Sequence, residues 1–397
     1  MPESIRTNDP APRIHAAAGR IAPHLIAVRR DIHAHPELAF EETRTSARVA
    51  DELSRLGVAH CTGVGRTGVV GLIEGGRPGP VLAIRADMDG LPIDEKTGLP
   101  FASQIPGKMH ACGHDIHTST LIGVAAVLKE LAPQLAGSVK LVFQPAEETL
   151  GGAAAMLADG LLESPKVSLA LGFHNHPELP VGRFGYCRGA CLAASDRFEI
   201  IVHGRSGHAA HPETAIDPIV AAAHLITELQ TVVSREIDPI QPAVVTVGAI
   251  RGGSAVNIIP DSVEFRGTVR TLDAGARRVA EEAIRRFCEG APQTLRTRCE
   301  LEYVRGVPAL VNDDSMLDRT VSAVRAQMGE VVDAGKPSLG GEDFALIAER
   351  VPAFQLRIGS GQPGRNDKLH NSDYQPDERC IALGVEALSR AALELLS

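Results

Sequence analysis

Between residues 110 and 117 the chain reads HACGHDIH, a cysteine, three histidines and an aspartate in eight positions. Cys112 and His114 stand two apart, so an extended backbone would let both side chains converge on one ion. Thiolate and imidazole are good ligands for zinc and its neighbours. Asp115 is placed to orient an imidazole from behind. The competing reading is a buried thiol beside surface histidines, because cysteine is among the most often buried residues.

Four other stretches carry groups of the same kind. FQPAEET (143–149) follows the apolar run KLVFQ, and its adjacent Glu147 and Glu148 must point in different directions. One could ligate a cation while the other faces a substrate; two such charges side by side cost energy unless cations or a shared proton compensate. RADMDGLP (85–92) places Asp87 and Asp89 after the strand-like VLAI, either as functional carboxylates at a sheet edge or as caps of a turn. GFHNHP (172–177) puts His174 and His176 at the expected tip of a strand, and KLHNSDY (368–374) supplies His370 late in the chain. Cys112, His114, Glu148, His174 and His370 all falling in such clusters makes coincidence the weaker account. A different chemistry would use Cys112 as a nucleophile with His114 or His117 as base; it leaves QPAEE and LHNSDY unexplained. GVGRTG (63–68) literally matches a dinucleotide fingerprint, but a helix end precedes it and a strand follows, the reverse of what that fold needs.

The elements that would position these groups alternate. VVGLIE, VLAIRAD, KLVFQ and VSLALGF read as short apolar strands, interleaved with helical stretches such as LIGVAAVLKEL, which predicts an α/β layer with a largely parallel central sheet. From about residue 195 the texture changes to strands (RFEIIVHG, AVVTVGAI, SVEFRGTVRTL) around helical stretches at 215–235 and 274–289, an α+β sandwich of about 110 residues inserted into the first domain. The expected organisation is a discontinuous α/β catalytic domain at 1–192 and 305–397, with the insert at 193–304. A chain of 397 residues fits two domains.

Composition narrows the function classes. Acidic residues outnumber basic ones 49 to 40, which argues against a nucleic-acid partner. No apolar run approaches the ~20 residues of a bilayer span, and the start shows no secretory signal. The seven cysteines lack framework spacing, so reduced thiols in a cytoplasm are expected.

In order along the chain, RRDIHAHPELAFEE, RADMDGLP, MHACGHDIHT, FQPAEE, GFHNHP, GHAAHP, GGSAVNIIPD, GTVR, GGEDFA and LHNSDY resemble the motifs of the co-catalytic metallo-aminoacylase and carboxypeptidase family. The similarity runs from about residue 28 to the end, in the branch holding bacterial hippurate hydrolases and plant auxin-conjugate hydrolases. It implies that Cys112, His114, Glu148, His174 and His370 ligate two divalent ions, zinc or manganese foremost and cobalt or nickel as alternatives, with Cys112 the bridging ligand. It implies Glu147 as general base and His208, in the insert, as a donor toward the scissile carbonyl. Asn257, Arg270 and Gly341 would hold the carboxylate end of the substrate. The insert would act as lid and dimer interface, giving a homodimer, with a homotetramer as the alternative. The implied activity is amide hydrolysis of N-acyl amino acids, with a metallo-dipeptidase or carboxypeptidase as the runner-up. A binding protein on the same scaffold would not need Glu147. Ser206-Gly207 where the family has a glycine pair, Glu213 where it often has histidine, and LHNSDYQPDE depart from the family pattern; they bear on pocket shape, not on the ligands or the base.

Overall fold

Six consecutive buried residues close strand β3 (Arg77–Asp87), and the same unbroken burial ends β4 (Ala136–Gln144). Strands covered on both faces read this way, because helices must lie against each side of a parallel sheet. The computed structural model, which describes residues 10–329, 331–333 and 335–397, shows the corresponding mixed α/β architecture. Two units are distinguished, one made of the chain up to Gly189 with Val311–Lys336 and Leu346–Ser397, the other of Ala190–Leu310 with Pro337–Ala345.

The first unit is built on an eight-stranded sheet. Its order is β1 (Ala59–Val64), β2 (Gly68–Glu74), β4, β3, β5 (Leu169–Pro180), the strand Ala353–Gly361, β6 (Phe184–Tyr186) and the strand Val331–Asp333. The four central members β4, β3, β5 and Ala353–Gly361 run parallel, while β1 and β2 form an antiparallel hairpin at one edge. Helices α1 (Ala11–His33), α2 (Thr43–Arg55), α3 (His114–Leu131) and the C-terminal Arg379–Leu395 pack into one apolar core with these strands, through residues such as Leu25, Val49, Ile84, Phe143, Phe173, Leu356 and Leu388.

Helix α3 is apolar and buried nearly all round, as a helix enclosed by other elements must be. It starts on Gly113, whose φ of +89° favours glycine. A Cβ there would stand 2.3 Å from Asn175 Nδ2, so any other residue would push the helix start off β5.

The second unit has a four-stranded antiparallel sheet in the order Ala243–Gly252, Ser262–Thr271, Ala194–His203, Arg298–Val304. Burial alternates along its two central strands, the pattern of a sheet packed on one face. Helices Pro218–Thr231 and Ala274–Leu295 share a separate core with it, containing Phe198, Ile200, Leu225, Phe265 and Ile284. No disulfide forms among the described residues. No helix among them is long and apolar enough to cross a membrane.

Candidate active site

The carboxyl ends of β3 and β4 are in register, Asp87 opposite Gln144, so the two loops that follow them leave the sheet side by side. The first carries Asp89, and the second carries Glu147 and Glu148. Asp89 joins them: its Oδ1 accepts the Glu147 N–H at 3.1 Å and its Oδ2 the Glu148 N–H at 3.0 Å. Its backbone oxygen and Oδ1 also accept from His114 Nδ1, at 2.9 and 3.2 Å. That contact fixes the tautomer of His114 and leaves Nε2 facing the acidic pair, 3.9 Å from Glu147 Oε2 and from Glu148 Oε1. Asp89 therefore does more than cap its own turn.

Cys112 precedes α3 and is common to two groups of candidate ligands. Its sulfur, His114 and His174 present atoms within 4.8 Å of one another, and so do Cys112, Glu148 and His370. Cys112 Sγ is 3.5 Å from His174 Nε2, and His370 Nε2 is 3.4 Å from Glu148 Oε1. His174 Nδ1 bonds the Asn175 carbonyl at 2.6 Å, which turns its Nε2 toward the cysteine. The His370 backbone has φ +63° and its N–H donates to the Ala111 carbonyl, which holds the late loop against the Cys112 segment.

His174 does not sit at a strand tip. HNHPELP stays extended, because β5 continues to Pro180 alongside Ala353–Gly361, and His174 is paired with Arg357 in mid-strand. Asp115, expected behind a ligand imidazole, instead faces Arg29 Nε at 2.6 Å and His33 Nδ1 at 2.8 Å.

Electrostatics separates the two chemistries left open for Cys112. Burial, reinforced by Glu148 and Glu147, pushes the Cys112 thiol well above its usual range, opposite to what an activated nucleophile needs. His117, its other candidate partner, is occupied: Nδ1 donates to Asp87 Oδ1 at 2.5 Å and Nε2 accepts the Asn175 N–H at 2.9 Å. Burial also pushes Glu148 up to about 7, with Asp89 and Asp87 adding to the effect. Burial works to lower the pKa of His114, but the Asp87 carboxylate and the hydrogen bond to Asp89 outweigh it and hold it well above the ordinary value. His174 is held well below by burial and by His117.

A divalent cation fits this donor set. His114 Nε2 and Glu148 Oε1 are buried with no hydrogen-bond partner among the described residues, although both are strong hydrogen-bonding groups. Crowded carboxylates, a thiol and three imidazoles supply hard and soft ligands together, and a bound cation would relieve the repulsion that raises Glu148 and draw the proton from the thiol.

Sequence reasoning missed Asn175. This buried residue donates through Nδ2 to the Cys112 carbonyl at 2.7 Å and accepts from Ser360 Oγ at 3.1 Å and from the Tyr374 hydroxyl. An asparagine between two histidines gives no sign of that task.

The remaining expected residues belong to the second unit. His208 is exposed and pairs with Ile258 in a two-residue ladder, and the Ala209 N–H donates to the Asn257 carbonyl, so His208 and Asn257 lie on adjoining segments. Arg270 lies on the strand Ser262–Thr271 opposite Ser195 and Val244. Gly341 is half-buried in the segment Pro337–Ala345.

Residues 83–394 match the sequence profile of Peptidase family M20/M25/M40. An N-acetylcysteine deacetylase of Bacillus subtilis (strain 168) is 40% identical over 377 residues, covering 94% of this chain and 97% of the relative. A hippurate hydrolase of Campylobacter jejuni is 38% identical over 373 residues, covering 93% of this chain and 96% of the relative. A crystal structure from Bacillus subtilis, described as a dinuclear metal binding peptidase from the M20 family, superposes with a TM-score of 0.84 at 37% identity, covering 95% of this chain and 99% of the other.

Proposed function

The chain belongs to peptidase family M20/M25/M40, and on that premise we propose that it is a dinuclear metal-dependent amidohydrolase that cleaves N-acyl amino acids, hippurate-like or related, to a carboxylic acid and a free amino acid. One observation carries the reading. Cys112, His114, Glu148, His174 and His370, far apart along the chain, converge with Cys112 common to two ligand groups, while buried His114 Nε2 and Glu148 Oε1 have no hydrogen-bond partner among the described residues.

These five residues would hold two divalent ions, zinc or manganese, with Cys112 shared. Bound there, such ions acidify a water and polarise a carbonyl. Glu147, buried and anchored by its N–H on Asp89, is the group that takes the proton of the attacking water and returns it to the departing amine. The role proposed for His208 is a hydrogen-bond donor to the developing oxyanion. Arg270 offers a permanently charged fork for the substrate carboxylate, with Asn257 and Gly341 at the same end. The second unit is proposed to pair two copies into a homodimer, because Ile219, Val220, Ile250, Val256 and Ile258 are exposed on it.

The test is a panel of N-acetyl-, N-benzoyl- and long-chain-acyl amino acids with dipeptides, assayed on protein reconstituted with each cation. Release of free amino acid from the acylated substrates, lost with a chelator and restored by the cation, is expected. Glu147→Ala should keep both ions and lose turnover. Near-normal activity in that variant, or cleavage of dipeptides alone, would overturn the assignment.

A further inference from the structure

Three consecutive backbone N–H groups lead into the acidic pair, and each ends on a carboxylate from elsewhere in the chain. Glu147 and Glu148 donate to Asp89, as described above, and Ala146 N–H donates to Glu42 Oε1 at 2.9 Å. Ala146 has φ +53°, in the left-handed region that a Cβ disfavours. Its carbonyl is held as well, accepting from the Gly151 and Gly152 N–H groups at 3.2 and 3.1 Å.

Glu42 is fully buried at the start of α2. Its Oε1 also accepts from the Phe40 N–H at 3.0 Å, and its Oε2 accepts from Thr67 Oγ1 at 2.5 Å. Thr67 belongs to GVGRTG, the stretch that mimics a dinucleotide fingerprint. Those residues form the turn of the β1–β2 hairpin, pressed against the acidic loop. A Cβ on Gly68 would stand 2.4 Å from the Val64 carbonyl oxygen and 3.1 Å from Pro145 Cδ, so only glycine lets the turn approach so closely. Arg66 of the same turn lies 4.2 Å over the ring of Phe40, closing the assembly from outside.

We propose that Glu42, seated by Thr67, is a positioning residue for Glu147 and Glu148: it holds Ala146 in the left-handed conformation from which the pair is aimed at Cys112, His114 and His370. The proposal rests on the reading of Glu148 as ligand and Glu147 as base. Without the Glu42 carboxylate the buried Ala146 N–H and the half-buried Phe40 N–H lose their acceptor, and the left-handed conformation of Ala146 loses the contact on its N–H side, so that the next two side chains are redirected.

Cobalt(II) titration of the metal-stripped full chain, followed by its visible absorption, reads the ligand geometry without any substrate. Glu42→Ala should weaken cobalt binding by about 10–100-fold, the usual cost of losing a group that supports a ligand. Glu42→Gln should bind like the wild type, since its amide oxygen still accepts from Ala146 while its amino group turns to the Thr67 hydroxyl. Ala146→Gly placed on Glu42→Ala should recover binding, because glycine adopts positive φ without penalty. If Glu42→Ala does not fold, Thr67→Val should weaken cobalt binding in the same direction. Wild-type affinity in Glu42→Ala or in Thr67→Val, or no recovery with Ala146→Gly, would overturn the proposal. If the wild type bound cobalt but hydrolysed no acylated amino acid, the reading of the function would fall while the titration still decided the role of Glu42.

Discussion

His114 and Asp115 are neighbours in the first turn of α3, both completely buried, yet they face surroundings of opposite balance. Around Asp115 the chain brings its own cations: Arg29 at 2.6 Å and His33 at 2.8 Å, with Glu95 behind His33 and Glu378 behind Arg29. Burial works to raise the Asp115 pKa, but Arg29 and His33 outweigh it and hold the carboxyl well below the ordinary range. Around His114 the carboxylates of Asp87, Asp89, Glu147 and Glu148 gather; Arg85 neutralises Asp87 from 2.6 Å, while Glu148 is left pushed up to about 7. A buried acidic cluster closed by the protein's own cations is architecture. One left short of cations is where the proposed ions would sit.

The sharpest way to break that contrast is to remove the cation on one side and the base on the other. Arg29→Met should cost about 3–5 kcal/mol of folding stability in urea, because it strands a buried charge. Glu147→Gln should leave the urea midpoint where it is and lower turnover by about 10²–10⁴-fold. A stability loss in the second variant matching that in the first would erase the distinction between the regions.

A smaller effect separates them by ligand. Zinc or manganese added to stripped protein at 100 times its dissociation constant should raise unfolding free energy by about 2.7 kcal/mol for each site filled. The gain should shrink in Glu148→Gln and persist in Glu95→Gln, whose side chain faces His33.

Proton linkage has opposite signs for the two buried carboxylates, Asp115 and Glu148. Asp115 is depressed, so its contribution is complete above the ordinary carboxylate value of about 4 and fades as pH falls further. His33 is raised: burial and Arg29 lower it, Asp115 and Glu95 more than compensate, and its contribution is complete below about 6.5 and lost as pH climbs through the folded-state value. Glu148, raised from 4.5 to about 7, penalises the metal-free fold as pH rises through that interval. The stabilisation by added cation, measured by urea unfolding, should therefore be larger at pH 7.5 than at pH 5. Equal gains at both would contradict the charge deficit at Glu148.

The smallest effect is the control. Arg20 and Glu130 pair at 2.6 Å but both side chains are more than half exposed, so Arg20→Ala should change stability by no more than about 1 kcal/mol, and less in high salt.

Much of the architecture was legible because it is written in local patterns. Unbroken apolar runs mark the buried parallel strands, the strands RFEIIVHG, AVVTVGAI and SVEFRGTVRTL mark the change of texture from about residue 195, and GVGRTG fails as a fingerprint because of what stands before and after it. The ligand candidates were legible by residue type. Their partners were not. Asp115 pairs with Arg29 and His33 across 82 to 86 positions, Asn175 reaches Ser360 and Tyr374 nearly two hundred positions on, and Glu42 meets Ala146 104 positions later. Such contacts depend on sheet order, which no local spacing encodes. The extra length of β5 was hidden for the same reason: HNHPELP stays extended only because the strand Ala353–Gly361 lies beside it.

The most direct test is zinc content combined with X-ray absorption at the zinc edge of the loaded chain. Two ions per chain are predicted, with a sulfur neighbour at about 2.3 Å that disappears in Cys112→Ser. One ion or fewer per chain, or a purely nitrogen and oxygen environment in the wild type, would contradict the proposed dinuclear site.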